Sequence, residues 1–169
     1  MNRIALLLCS LLLCQGCTYA ISPTLADKAE RNVAFGSLLN DPDAFGGKLL
    51  ILGGTIDQIT NEKQGTLIEV VQKQLDYWGK PQRTQKAGGR FLAFYPGFLD
   101  PMVYAPGRDI TVAGVVQGTT SPMLENRQFN YPVLLMKEIR LWERGQPSWD
   151  KPSWLDPLYD PDSPGRRGY

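Results

Sequence analysis

Five strand-like runs lie between residues 48 and 143, separated by loops rich in glycine, proline and polar residues. They cover residues 48–60, 66–75, 89–95, 109–118 and 133–143. The fourth run alternates as a half-buried strand does, with Ile110, Val112 and Val116 on one face. Gly53-Gly54 interrupt the first run, and glycines inside a strand indicate a bulge or a sharp bend. The pattern predicts an all-β fold, a small OB-like, five-stranded, partly open antiparallel barrel, with an ordinary antiparallel sandwich as the alternative.

Two Asp-Pro pairs predict short helical turns beside these strands. Asp41-Pro42 precedes the first strand and is followed by Gly46-Gly47, whereas Asp100-Pro101 stands between the third and fourth strands. Aspartate caps the first turn of a helix, and proline suits the position after the cap. The all-β fold is therefore expected to contain a short helical turn at each place.

Residues 1–16 are typical of a secretory signal peptide. Arg3 supplies one positive charge, and residues 4–13 are mostly apolar and uncharged. That length fits the hydrophobic region of a signal, and it is too short for a bilayer, which needs about 20 apolar residues. The sequence therefore predicts export of the chain.

All three cysteines, Cys9, Cys14 and Cys17, fall in the first 17 residues. Gly16-Cys17 resembles the bacterial lipobox, in which a small residue precedes a cysteine that receives a diacylglyceryl group. Cys14 departs from that pattern, because leucine is usual there. The resemblance implies signal cleavage between Gly16 and Cys17, followed by N-acylation of the new amine. It also implies the lipoprotein processing and sorting machinery as partners. The mature chain would keep no free thiol for a disulfide or a metal.

The residue after Cys17 is Thr18. In the lipoproteins that this N-terminus resembles, aspartate at that position retains the protein in the inner membrane, and other residues release it. The resemblance implies a lipid-anchored protein of the outer membrane that faces the periplasm. Residues 17–32 are then expected to be a polar, lipid-anchored tether, and residues 33–144 the barrel domain.

Residues 145–169 differ in composition from the predicted barrel. They contain five prolines, two of the four tryptophans and two tyrosines. Proline at that density prevents regular strand pairing, so an extended or disordered tail is expected.

The ionisable side chains exclude several functions. The chain has 18 basic and 17 acidic residues, so it lacks the basic excess that nucleic-acid binding requires. It has no histidine, the commonest general base and metal ligand. We expect no catalytic residues, no metal and no cofactor beyond the lipid.

Candidate chemistry lies near the third strand. Asp57 and Glu69, expected on neighbouring strands, could form the acid and base of a glycosidase, but solvent-facing charges are the favoured interpretation. Arg90 is expected to pair with Asp100. Four aromatic residues also cluster there, and exposed rings would favour a module that binds glycan or another envelope component. They are Phe91, Phe94, Tyr95 and Phe98.

Three segments resemble the Slp family, starvation-inducible outer-membrane lipoproteins of gamma-proteobacteria. They are "DPDAFGGKLLILGGTI" (41–56), "GRFLAFYPGFLDPMVYAPGRDITVAGVVQG" (89–118) and "YPVLLMKEIRLWE" (131–143). The most specific matches include Gly89-Arg90 and Gly97-Phe98-Leu99-Asp100-Pro101, which we interpret as structural. The resemblance implies a non-enzymatic lipoprotein with a role in envelope integrity or stress tolerance, and it supplies no ligand.

Overall fold

The computed structural model describes residues 19–82, 87–121 and 127–143. Gly16, Cys17 and the rest of the predicted signal and cleavage site lie outside the described residues. The predicted tail over 145–169 lies outside them as well.

Among the described residues, two short helices and a 3-10 turn precede the five strands. They are α1 (Pro23–Ala26), α2 (Phe35–Asn40) and the 3-10 turn (Asp43–Phe45). The strands are β1 (Leu49–Glu62), β2 (Gly65–Lys73), β3 (Arg90–Tyr95), β4 (Asp109–Ser121) and β5 (Arg127–Leu141). Both predicted Asp-Pro turns form, since Asp41 Oδ1 accepts from the Ala44 N–H and Asp100 Oδ1 from the Met102 N–H.

The strands close into a barrel in the order β1-β2-β3-β5-β4. This is the strand order of an OB-fold, so the OB-like prediction is confirmed and the sandwich alternative is wrong. β3 and β5 pair in parallel around Leu92 and Val133 and close the ring, which was predicted to be partly open. Five strands in a ring cannot all alternate in direction, so one parallel pair is unavoidable.

β4 and β5 extend into the region predicted as a loop over residues 119–132. Their ladder continues beyond the core, with Thr120 opposite Gln128 and Ser121 opposite Arg127. The prediction ended the fourth run at residue 118 and began the fifth at residue 133, so it missed this extension.

β1 pairs with two strands at the glycines that interrupt it. Gly53 lies opposite both Lys73 of β2 and Thr111 of β4. A Cβ on Gly54 would lie 2.0 Å from the Val71 carbonyl oxygen, so only glycine permits this close approach. The bulge itself comes later, between Ile56 and Gln58.

The main core fills the barrel and is covered at one side by α2, whose Leu38 is fully buried. Phe35 of α2 packs edge-on against Phe91, with 6.3 Å between the ring centroids. Alternation along β3 turns the next side chain outward. Leu92 therefore belongs to a separate apolar cluster, with Phe94 and Val133, on the outer face.

The segment before α1 packs against the barrel from Ala20 onward. Ala20 and Ile21 are buried against Ala113 of β4. Both the N–H and the hydroxyl of Ser22 donate to the Glu138 carboxylate, at 2.9 and 2.7 Å. The described part of the segment expected to be a tether is thus held on the outer face of β4 and β5.

Candidate functional site

One compact charge cluster lies on the outer face of β1, β2 and β3. Arg90 opens β3 and points outward, because the next residue, Phe91, points into the core. Its Nη1 donates to Asp57 Oδ2 at 2.5 Å and to Glu69 Oε1 at 2.8 Å. The two carboxylates predicted on neighbouring strands do come together, but a single arginine bridges them. This is the arrangement of a structural ion-pair network, in which both carboxylates are already bound by the guanidinium group.

The prediction that Arg90 pairs with Asp100 is wrong. Arg90 begins β3 and Asp100 follows its end, and a six-residue strand spans roughly 20 Å. Asp100 caps its own turn instead, accepting from the Met102 N–H at 2.8 Å.

The hydrogen bond to Asp57 raises the pKa of Arg90 above its ordinary value despite partial burial, and the bond to Glu69 adds to this. Arg90 is therefore charged over the whole working pH range.

Replacing Arg90 by alanine is expected to lower the melting temperature. The change leaves two neighbouring carboxylates on one barrel face without their shared cation. The matched control is Arg31→Ala, because the Arg31–Asp27 pair is 3.7 Å apart and about three-quarters exposed, with side-chain exposures of 74% and 79%. Thermal unfolding followed by circular dichroism should separate the two variants. Equal melting temperatures for Arg90→Ala and the unaltered chain would show that the network contributes nothing.

Most residues of the motif around Gly97 make contacts within the fold. The Thr66 hydroxyl accepts from the Leu99 N–H at 2.9 Å and lies 2.8 Å from the Gly97 carbonyl oxygen, which fastens the loop after β3 to β2. Leu99 packs against the main core. Phe98 is the exception, since its side chain is 73% exposed.

Gly89, the other motif glycine, lies beneath α2. Its φ is +135°, and a Cβ there would lie 2.6 Å from Leu39 Cδ1. It thus permits both the backbone conformation and the close approach of the helix.

The four aromatic residues predicted near the third strand divide into two pairs. Phe91 and Phe94 are fully buried, in the main core and the outer-face cluster. Tyr95 and Phe98 are exposed, and exposed Met102 and Val103 follow in the same loop. Arg108 supports this loop by donating to the Val103 carbonyl at 3.0 Å. This exposed patch is one candidate contact surface.

A second exposed aromatic group was not predicted. Tyr19, Tyr77 and Trp78 contact one another, with ring centroids 5.2–6.3 Å apart. The sequence prediction assigned residues 76–88 to a polar loop, and an Asp-x-x-Gly turn that carries two aromatic residues was the signal it missed. We call these three residues the aromatic cluster.

Two adjoining grooves lie on the barrel surface, and the first of them borders the aromatic cluster. Their volumes are about 580 and 720 Å³, and Ile51 and Leu52 contribute to the floor of both. Tyr77 lines the first groove, and Phe35 lines the second. The charge cluster around Arg90 lines neither groove, because it lies on the outer face of β1, β2 and β3.

The described residues contain neither a cluster of metal-ligating side chains nor a membrane-spanning helix. Within residues 19–82, 87–121 and 127–143, no group of three or more acidic, cysteine or histidine side chains is placed to hold a metal. No helix in the same part of the chain is long and apolar enough to span a bilayer.

Comparison with known protein families decides the identity of the chain. The model of the outer membrane lipoprotein Slp family matches residues 14–164, which include the predicted lipobox and the whole barrel. The chain belongs to the Slp family. It is thus an outer membrane lipoprotein, as the lipobox and the three quoted segments implied. The family is not known for enzymatic activity.

Relatives of this Slp-family chain include proteins from two bacteria. It is 29% identical over 140 residues to the outer membrane protein Slp of Escherichia coli K12, covering 75% of this chain and 74% of the relative. It is 32% identical over 96 residues to an uncharacterised protein of Haemophilus influenzae Rd, covering 56% and 52%.

Solved structures similar to this Slp-family chain match it only distantly. The OBody AM3L15, solved bound to hen egg-white lysozyme, gives a TM-score of 0.41 at 9% identity, covering 69% of this chain and 99% of that one. The mitochondrial single-stranded DNA binding protein Rim1 of S. cerevisiae gives 0.38 at 14% identity, covering 60% and 99%. At these scores we draw nothing from either about a ligand.

Proposed function

We propose that acylated Cys17 anchors this Slp-family protein to the outer membrane, where the barrel faces the periplasm and supports envelope integrity or stress tolerance without enzymatic activity. The observation that carries the proposal is the family match, because residues 14–164 take in Gly16-Cys17 together with the folded domain. Thr18 after Cys17 supports release from the inner membrane, and the periplasmic orientation follows from the same lipoprotein route.

The proposed anchor is strong enough for stable attachment to the membrane. Each buried methylene of an acyl chain contributes about 0.8 kcal/mol, and a single myristoyl chain binds only marginally. Diacylglycerol and an N-acyl chain on Cys17 together exceed that threshold, so no membrane-spanning segment is needed for retention.

A non-enzymatic role is supported by where the chemistry-bearing residues lie. The chain has no histidine. Asp57 and Glu69 are both engaged by Arg90, and Asp100 caps a turn. The charged residues that the sequence singled out thus have structural partners.

Replacing Cys17 by serine is expected to remove the protein from the outer-membrane fraction and leave it unprocessed or soluble. Serine lacks the thiol that accepts the diacylglyceryl group. Cys14→Ser is the matched control, since Cys14 is removed with the signal and its loss should leave acylation intact. Sucrose-gradient fractionation with radiolabelled palmitate measures both effects. Equal labelling of the two variants would rule out Cys17 as the acylated residue.

A second candidate function is binding of a glycan or another envelope component. The exposed loop after β3 favours it, because Phe98 is the motif residue for which we find no structural role and Met102 beside it is 86% exposed. Loss of peptidoglycan-fragment binding in Phe98→Ala would support this function, whereas no binding by the unaltered protein would eliminate it.

A further inference from the structure

We propose that the aromatic cluster rests in the headgroup region of the bilayer and sets the orientation of the barrel on the membrane. The proposal identifies the membrane-facing surface of the domain, and it rests on the proposed attachment of lipid to Cys17. Three observations carry it. The three adjoining rings are exposed, a turn holds them outward, and they lie only a short distance from residue 17.

The three rings form one exposed surface. Tyr77 is 76% exposed, and Tyr19 and Trp78 are each 49% exposed. The Tyr77 and Trp78 rings meet edge-on at 5.2 Å, and the Tyr19 hydroxyl donates to the Tyr77 hydroxyl at 3.2 Å. Tyrosine and tryptophan combine an apolar ring with a polar group, which is why they are enriched where lipid chains meet water.

The turn that presents these rings is firmly built. Asp76 Oδ1 accepts from the backbone N–H of Trp78 at 2.9 Å and of Lys80 at 2.8 Å. Gly79 completes the turn with a φ of +81°, and its carbonyl accepts from the Thr111 hydroxyl of β4 at 2.6 Å. The rings are therefore held outward from the barrel.

The N-terminal segment is joined to the same turn. The Ala20 N–H donates to the Trp78 carbonyl at 3.3 Å. A Cβ on Gly79 would lie 2.8 Å from the Ala20 Cβ, so the two segments are in close contact. Because Ala20 and Ile21 are buried against the barrel, residue 19 cannot move far from this turn.

The short distance between the lipid on residue 17 and the aromatic cluster determines which part of the bilayer the cluster contacts. Cys17 lies two positions before Tyr19, and an extended chain spans at most about 3.6 Å per residue, or roughly 7 Å in all. The interfacial layer on each side of a bilayer is about 5–8 Å thick. A lipid on residue 17 therefore keeps the aromatic cluster within reach of the headgroups, and a bilayer is the partner to which we commit.

Two basic side chains, Lys80 of the turn and Arg140 of β5, lie around Trp142, and such side chains attract anionic phosphate headgroups. Lys80 Nζ and Arg140 Cζ each lie 5.6 Å from the centre of the Trp142 ring. Trp142 is linked to the turn through Thr111, whose hydroxyl accepts from its indole N–H at 3.0 Å. The carboxylate of the turn, Asp76, is turned toward the backbone N–H groups.

The experiment attaches the mature chain, residues 17–169, to vesicles through its single thiol at Cys17. A phospholipid with a maleimide headgroup provides the attachment, in phosphatidylcholine and phosphatidylglycerol vesicles with or without bromine on the upper acyl carbons. The emission of Trp78 is obtained by subtracting the tryptophan fluorescence of a Trp78→Phe variant from that of the unaltered chain. The matched control adds Phe98→Trp to Trp78→Phe, because Phe98 is also exposed but lies in the loop after β3.

Brominated lipid is expected to reduce the Trp78 emission about twofold and to leave the tryptophan introduced by Phe98→Trp unchanged, because only the former lies among headgroups. Trp78 emission that is insensitive to bromine, or quenched no more than the control, would overturn the proposal and point to a protein partner. The attachment is chemical, so this result stands whether or not cells acylate Cys17. Failure of the proposed anchor would appear only in the Cys17→Ser fractionation.

Discussion

Replacing Phe91 by alanine is expected to lower the free energy of unfolding by about 3–5 kcal/mol. Phe91 is fully buried where β3 faces α2, and its ring packs edge-on against Phe35. The substitution leaves a cavity between the barrel and the helix that covers it, so both lose contacts. Urea denaturation of residues 18–169, which lack the acylated cysteine, gives the free energy directly.

Phe98→Ala is the control for this prediction. It removes the same ring from a position only seven residues later, but one that is 73% exposed. Its effect should stay within about 0.5 kcal/mol, as for most surface substitutions. If the two variants lost equal stability, the assignment of Phe91 to the core and Phe98 to the surface would be wrong.

Gly54→Ala is expected to destabilise the barrel by about 3 kcal/mol, the upper end of the usual cost of overpacking. The added Cβ would lie 2.0 Å from the Val71 carbonyl oxygen and 2.9 Å from Val70 Cγ1. Relief requires β1 and β2 to separate at the point where β1 also pairs with β4. Thermal and urea unfolding measure the loss.

The matched control for Gly54→Ala is Gly36→Ala, which adds the same methyl group to α2. No heavy atom lies within 4 Å of a Cβ at Gly36. Alanine in an exposed helix is better than glycine by about 0.5–1 kcal/mol, so this variant should be more stable than the unaltered chain. Two variants with the same sign of effect would contradict the account of β1.

Much of the barrel could be predicted from local sequence. Alternation along residues 109–118 reports a property of one strand and falls within β4, whereas the glycine pair indicated an irregularity in β1 but not the position of its bulge. The Asp-Pro turns were predictable for the same reason, because a cap acts within four residues. The lipobox and the quoted family segments likewise depend on short, contiguous stretches.

Features that depend on distant residues could not be predicted. The partners of Arg90 lie 33 and 21 residues away, and which carboxylates face it depends on the bulge in β1 and the register of β2. The aromatic cluster likewise joins Tyr19 to Tyr77, 58 positions later. Neither arrangement produces a periodic pattern of residues in the sequence.

The parallel pairing of β3 and β5 was not predicted either, but for a different reason. It follows from counting strands, since an odd number in a closed ring must include one parallel pair. The sequence indicated the number of strands but not closure of the barrel, so the direction of the last pair remained undetermined.

The mass of the N-terminal peptide from the membrane-bound protein tests the central claim most directly. The account predicts a peptide that begins at Cys17 and carries diacylglycerol on sulfur and an acyl chain on nitrogen. A mature N-terminus at another residue, or Cys17 with an unmodified thiol, would contradict the anchor. The bilayer would then have no place in the function of the barrel.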